Sequence, residues 1–170
     1  MRIYSLCLLL FCVSLSYANP LRGTVEFVLD GDTVSFRGDE GALLRIRLAY
    51  IDAPECSQPY GRNARQELMQ AVAQQQVTVN VLGVDQYQRQ IGQLWVGTRD
   101  INLMLLHVGA AWLDRFALAR LGRTSSQGIN YKEAESSARH AARGLWQEPA
   151  PIAPWIYRQQ HQNQPPTKCY

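Results

Sequence analysis

The chain has 170 residues carrying 17 basic and 14 acidic side chains, a formal charge of +3. That length fits one domain with short extensions better than two domains. So small a charge excess does not announce a polyanion binder by itself, and the sequence holds no run of charge, repeat or cysteine-rich scaffold.

The chain opens with Met1-Arg2, an apolar run from Ile3 to Leu15, and then Ser16-Tyr17-Ala18. A positive start, an apolar centre and small residues at the two positions a signal peptidase reads predict a secretory signal, residues 1–18, cleaved after Ala18. The run is shorter than the roughly 20 apolar residues a membrane anchor needs. The mature chain is therefore expected to be secreted or periplasmic and free of the membrane, with a monomer as the default state. Cleavage removes Cys7 and Cys12 and leaves Cys56 and Cys169. Two cysteines in an oxidising compartment are predicted to pair, pinning the C-terminal tail beside the loop after Pro54-Glu55. Apart from Lys132 and Lys168, every cation is arginine. Its planar fork suits phosphate, though a G+C-rich genome would give the same bias.

Thr24 to Leu29 alternates, with Val25, Phe27 and Leu29 on one face, and Asp30-Gly31-Asp32 turns it into a second strand from Thr33 to Arg37. A third strand is predicted from Leu43 to Ile51, with Leu44, Ile46, Leu48 and Tyr50 facing one way and Arg45 and Arg47 the other. From Asn63 to about Gln75, Ala64, Leu68, Ala71 and Val72 recur at helical spacing. Val77, Val79 and Val81 return to a period of two, Asp85 to Arg89 reads as a loop, and Ile91 to Val96 as a strand. Asp100 caps a predicted helix from Ile101 to His107 that stops at Gly109. Ala110 to Phe116 is predicted as a short strand and Tyr131 to Ala142 as the last helix. Beyond Trp146, prolines among Gln and Asn predict an extended tail, packed partly through Trp155 and Tyr157. The predicted organisation is a signal (1–18), a folded domain (19–147) and a Pro/Gln-rich tail (148–170). Short strands interrupted by a helix suit an α+β architecture, a small closed barrel of the OB type with five strands and about three helices.

Three clusters carry chemistry. Asp30-Gly31-Asp32-Thr33 presents carboxylates on a hairpin turn, Arg47 to Glu55 delivers an arginine and then two acids at a strand end, and Asp85 to Arg89 adds another arginine. Carboxylates and backbone carbonyls suit a hard cation such as calcium. Arginine forks can hold the charge that builds on a phosphate under attack, and a further carboxylate can orient or deprotonate water. Each signal has a plain structural reading too. A D-G-D turn is common in hairpins, an arginine on a polar strand face is usually solvated, and Asp-x-Pro-Glu can simply stop a strand. Arg62 and Arg65 stand on a helix where they either guide a nucleic-acid backbone or face solvent. No His pair has zinc-ligand spacing.

Taken in order, D-G-D-T at Asp30, R-L-x-x-I-D-A-P-E at Arg47, Tyr60-Gly61, D-x-Y-x-R at Asp85, N-L-x-L-L-x-x-G at Asn102 and Gly144-Leu145-Trp146 resemble the staphylococcal nuclease family from about Val25 to Trp146. The resemblance implies an OB-type barrel and a calcium-dependent enzyme that hydrolyses single-stranded or loosened DNA and RNA, leaving 3′-phosphate ends. It implies Asp32, Asp52 and the Ala53 carbonyl as calcium ligands, Arg47 and Arg89 on the scissile phosphate, Glu55 as general base and Tyr87 as a phosphate contact. Ala53 stands where the family often has threonine, and the family's D-K-Y-G-R reads D-Q-Y-Q-R here. Trp112 and Phe116 follow Gly109 in place of tyrosines that stack on the nucleotide, and core packing is expected of them ahead of stacking. The alternative is an OB-type module that binds single strands without cutting them. A third reading, an envelope-interaction protein working through its tail, rests on the tail's composition alone.

Overall fold

The computed structural model describes residues 19–119, 125–164 and 167–169; the predicted signal lies outside them. Three antiparallel strands come first: β1 (Leu21–Val28), β2 (Thr33–Gly38) and β3 (Leu43–Leu48), followed by the two-residue β4 (Ile51–Asp52) and helix α1 (Gly61–Val72). Then come β5 (Gln76–Val84), β6 (Gln90–Val96), β7 (Arg99–Asp100), α2 (Ile101–His107), β8 (Trp112–Leu113), α3 (Arg115–Ala119) and α4 (Ser126–His140). A 3₁₀ turn over Gly144–Gln147 and α5 (Pro154–Gln160) complete the chain.

The strands run in the order β3-β2-β1-β5-β6-β7, and a parallel pairing of β3 with β6 closes five of them into a mixed barrel. The expected five-stranded OB-type barrel is the observed one. Its interior is filled by alternating residues such as Val34, Phe36, Ile46, Leu48, Val79 and Leu94, all buried, with α1 and α2 adding Ala64, Leu68, Leu105 and Leu106. This alternation is the period-two pattern of a half-buried sheet. Asn102 secures the seam. Buried on α2, it donates to the Ala49 carbonyl at 2.9 Å and the Gly92 carbonyl at 3.3 Å, and accepts from the Leu94 N–H at 3.0 Å.

Four expected elements come out differently. In β1, a bulge between Val25 and Phe27 shifts the pairing with β2, so Phe27 is 69% exposed and Val28 is buried instead. One extra residue in a strand flips the face of everything after it. The third strand does not run unbroken to Ile51, because Tyr50 takes a left-handed conformation, φ 65°. Ile51 and Asp52 then leave the barrel and pair with Leu113 and Trp112 of β8. The stretch Ala110 to Phe116 holds only that two-residue strand before α3 begins, since Asp114 accepts from the Phe116 and Ala117 N–H groups and caps a helix. The tail is not extended throughout: Pro154 at the first helical position starts α5. With α3 and α5, the described residues hold five α-helices beside the barrel, two short ones more than expected. Among them no helix is long and apolar enough to cross a membrane.

Candidate active site

The acids of the site come from two loops at one end of the barrel. The register pairs Thr33 with Arg47, and the Leu48 N–H donates to the Asp32 carbonyl at 2.8 Å. Asp32 therefore emerges beside the strand that carries Arg47. The Asp30-Gly31-Asp32 turn closes on itself through Asp30 Oδ1, which accepts from the Asp32 N–H at 3.1 Å. It also lies tight on the neighbouring loop. A Cβ on Gly31 would sit 2.6 Å from Ala53 Cβ and 2.9 Å from Ala64 Cβ, so glycine is required for the approach. Gly61 serves the other side of that loop: a Cβ there would collide with the Glu55 carbonyl.

Asp52 reaches the same place through the turn at Tyr50. Arg47 joins the two acids, with Nη1 at 3.1 Å from Asp32 Oδ2 and Nη2 at 2.9 Å from Asp52 Oδ1. Its Nη1 also donates to the Leu48 and Ile51 carbonyls, each at 2.9 Å, which braces the turn that delivers Asp52. Asp32 Oδ2 accepts from the Ala53 N–H at 2.6 Å. Asp32, Asp52 and Ala53 are thus brought together, buried, around one guanidinium.

Electrostatics follows from that burial. Desolvation pushes the Asp32 carboxyl up to about 6, with Asp30 adding repulsion and Arg47 opposing both. Asp52 is likewise raised, mainly by burial, despite hydrogen bonds from arginine. For Arg47, burial works against the charged form, but Asp32, Asp52 and Asp30 together outweigh it and raise its pKa. Each buried ion therefore depends on the others.

The remaining expected residues are placed as follows. Glu55, on the loop after β4, pairs with Arg158 at 2.8 Å. Arg89 pairs with Asp85 at 2.7 Å and lies 5.6 Å from the centroid of Tyr87, whose ring is 68% exposed. The parallel register matches Arg47 with Ile91, two residues beyond Arg89, so the D-Q-Y-Q-R loop adjoins the β3 strand that carries Arg47. In the structure, Arg89 is turned to its own loop and not to the acids. Arg65 donates to the Val28 carbonyl at 2.8 Å, which ties α1 to β1.

Two residues depart from expectation. Phe116 was expected to pack in the core and is 90% exposed instead, because the α3 start carries it outward. Trp112 does pack, edge-on to Trp146 at 4.5 Å and to Trp155 at 5.6 Å. Arg158 of α5 was not anticipated at all. Its fork takes both oxygens of Asp52, at 3.1 and 2.8 Å, and Glu55 Oε1 at 2.8 Å. No motif carries it; the one sequence signal is Ala153-Pro154-Trp155, a proline-initiated helix start inside the proline-rich tail. The expected Cys56–Cys169 bridge is formed, with Cα atoms 5.2 Å apart.

A cleft of about 830 Å³ opens between α2 and α4 and includes neither Asp52, Glu55 nor Arg158. Two smaller ones do. A cavity of about 360 Å³ is bordered by Asp52, Trp112, Phe116, Trp155 and Arg158, and one of about 490 Å³ by Glu55, Tyr87, Tyr157 and Arg158.

The model for the family described as staphylococcal nuclease homologue matches residues 45–148. The protein named ParB of Escherichia coli is 34% identical over 152 residues, covering 84% of this chain and 82% of that one. A micrococcal nuclease of Shigella flexneri is 34% identical over 152 residues, with 84% and 83% covered. An uncharacterized endonuclease of Escherichia coli O157:H7 is 34% identical over 139 residues, with 81% and 85% covered. A family model matching more than half of the chain, and relatives 34% identical over more than four-fifths of it, establish that the chain belongs to the staphylococcal nuclease family.

Proposed function

We propose that this chain is a secreted or periplasmic, calcium-dependent nuclease that hydrolyses DNA and RNA and leaves 3′-phosphate ends. Nucleic-acid hydrolysis is the chemistry of the family to which it belongs. The observation that carries the reading is the meeting of Asp32 and Asp52, from separate loops, on the Arg47 guanidinium.

The donor set fits a divalent cation. Asp30, Asp32, Asp52 and Glu55 bring four carboxylates to Arg47 and Arg158, which leaves two negative charges uncompensated. Asp32 and Asp52 meet at Arg47 and Asp32 touches the Ala53 backbone, and the protein would supply Asp32, Asp52 and the Ala53 carbonyl, with water and substrate oxygens completing the shell that calcium requires. When bound, the ion supplies positive charge against that developing on the phosphate. Arg47 would hold a non-bridging oxygen with its fork. Arg89 would swing from Asp85 to the leaving oxygen, Tyr87 would contact the phosphate, and Glu55 would take the proton of the attacking water. The protein would act as a monomer on single strands or loosened duplexes.

Product analysis tests this reading. Fragments from single-stranded DNA and from RNA should be substrates for a 3′-phosphatase, whereas 5′-phosphate ends would refute the assigned polarity. Secretion is tested by the mature N-terminus, expected at Asn19 in the extracytoplasmic fraction.

A further inference from the structure

From the geometry of the C-terminal segment we infer that it builds a second nucleoside subsite, a wall that receives the base next to the scissile phosphate on the Glu55 side. The inference rests on the nuclease reading and adds to it a residue set outside the matched family span, which ends at residue 148. The subsite is the cavity of about 490 Å³ bordered by Glu55, Tyr87, Tyr157, Arg158, His161 and Gln162, a size in the roughly 300–1,000 Å³ range of small-molecule sites.

Its walls suit a base. Tyr157 and His161, one turn apart at the end of α5, stack at 4.0 Å with an interplanar angle of 20°. Across the cavity stands Tyr87 with its largely exposed ring. Aromatic faces take any base by stacking, because every base has a π-face. The amides of Gln162 and Gln164 line the same space and can donate to and accept from base edges.

Arg158 sits between this cavity and the one of about 360 Å³ that holds Phe116 and Trp155. A phosphate held at Arg158, between the two, would therefore have an aromatic-lined cavity on either side, one for each nucleoside it joins. Bases held in a paired duplex cannot spread into two separate cavities, so the arrangement selects single strands.

The wall is also held in place before substrate arrives. Gln58 Nε2 donates to the Ile152 carbonyl at 2.5 Å ahead of α5, the Tyr157 hydroxyl donates to Ser57 Oγ at 3.1 Å within it, and the Cys56–Cys169 bridge ties the segment after it. Such preorganisation lowers the ordering cost of binding.

The test is binding of a fluorescein-labelled single-stranded oligonucleotide to the mature protein in EDTA, read by anisotropy so that nothing is cut. Tyr157→Leu and His161→Ala should each weaken binding about tenfold, the scale of one lost base stack. Tyr157→Phe, which keeps the ring and loses only the bond to Ser57, should weaken binding far less than Tyr157→Leu does. Unchanged or tighter binding by Tyr157→Leu and His161→Ala would overturn the inference, the tail then being a cover over the site. Should the wild type cut DNA with calcium under those circumstances, or cut with calcium while failing to bind in EDTA, the nuclease reading would stand without the subsite; a wild type that neither binds nor cuts would remove both.

Discussion

Arg47 spans Asp32 and Asp52, 3.1 Å from one and 2.9 Å from the other, while its Nη1 also holds the carbonyls of Leu48 and Ile51. One side chain thus fixes the acids and the turn that delivers one of them. Arg47→Lys should lower turnover by about 10²-fold or more, since a lysine cannot reproduce a fork on phosphate. Lost hydrogen bonds should cost on the order of 1–2 kcal/mol of stability. Steady-state rates beside a urea denaturation curve check both; a near-normal rate would remove Arg47 from the assigned role.

Arg158 holds Asp52 through both oxygens, and a cation needs at least one of them. Arg158→Gln should therefore tighten calcium binding by about fivefold, the scale of a half-exposed ion pair worth up to ~1 kcal/mol. Isothermal titration with calcium alone reads the change. Weaker binding would mean that Arg158 supports the metal site.

Burial raises the Asp32 carboxyl from its ordinary 3.8 to about 6. A folded state that holds this proton more tightly than the unfolded chain loses stability as pH rises through the window from about 4 to about 6. In EDTA, the wild type should become less stable over that range, and Asp32→Asn should flatten the slope. Denaturation midpoints across pH check this; parallel slopes for the two proteins would contradict the assigned burial cost.

The Cys56–Cys169 bridge joins positions 113 residues apart and anchors the segment that follows α5. Reduction, or Cys169→Ser, should lower stability by about 2–4 kcal/mol and open residues 148–170 to proteolysis ahead of the barrel. Limited digestion followed by mass spectrometry would show the order of cleavage.

Much of this was legible in the sequence because it is local. The alternation in β2, β3 and β5, the Asp100 cap of α2 and the D-G-D turn are each set by residues within a few positions of one another. Asp32, Asp52 and Arg47 could be grouped because each stands in a motif of the family resemblance, Asp32 at the hairpin turn, Arg47 within the third predicted strand and Asp52 just beyond it. The features that escaped depend on distant partners. The bulge that turns Phe27 outward is a property of pairing with β2. The left-handed Tyr50 is paired through its carbonyl with the Asp114 N–H at 2.8 Å, a partner 64 positions away along the chain. Arg158 lies 106 positions from Asp52, in a tail whose composition predicts little beyond a lack of core.

The most direct measurement is cleavage of single-stranded DNA by the mature protein with calcium and with excess EGTA. Cleavage that appears with calcium, stops with EGTA and returns when calcium is restored is the predicted result. Intact DNA in the presence of calcium and folded protein would contradict the account, and would leave a barrel that holds a strand without cutting it.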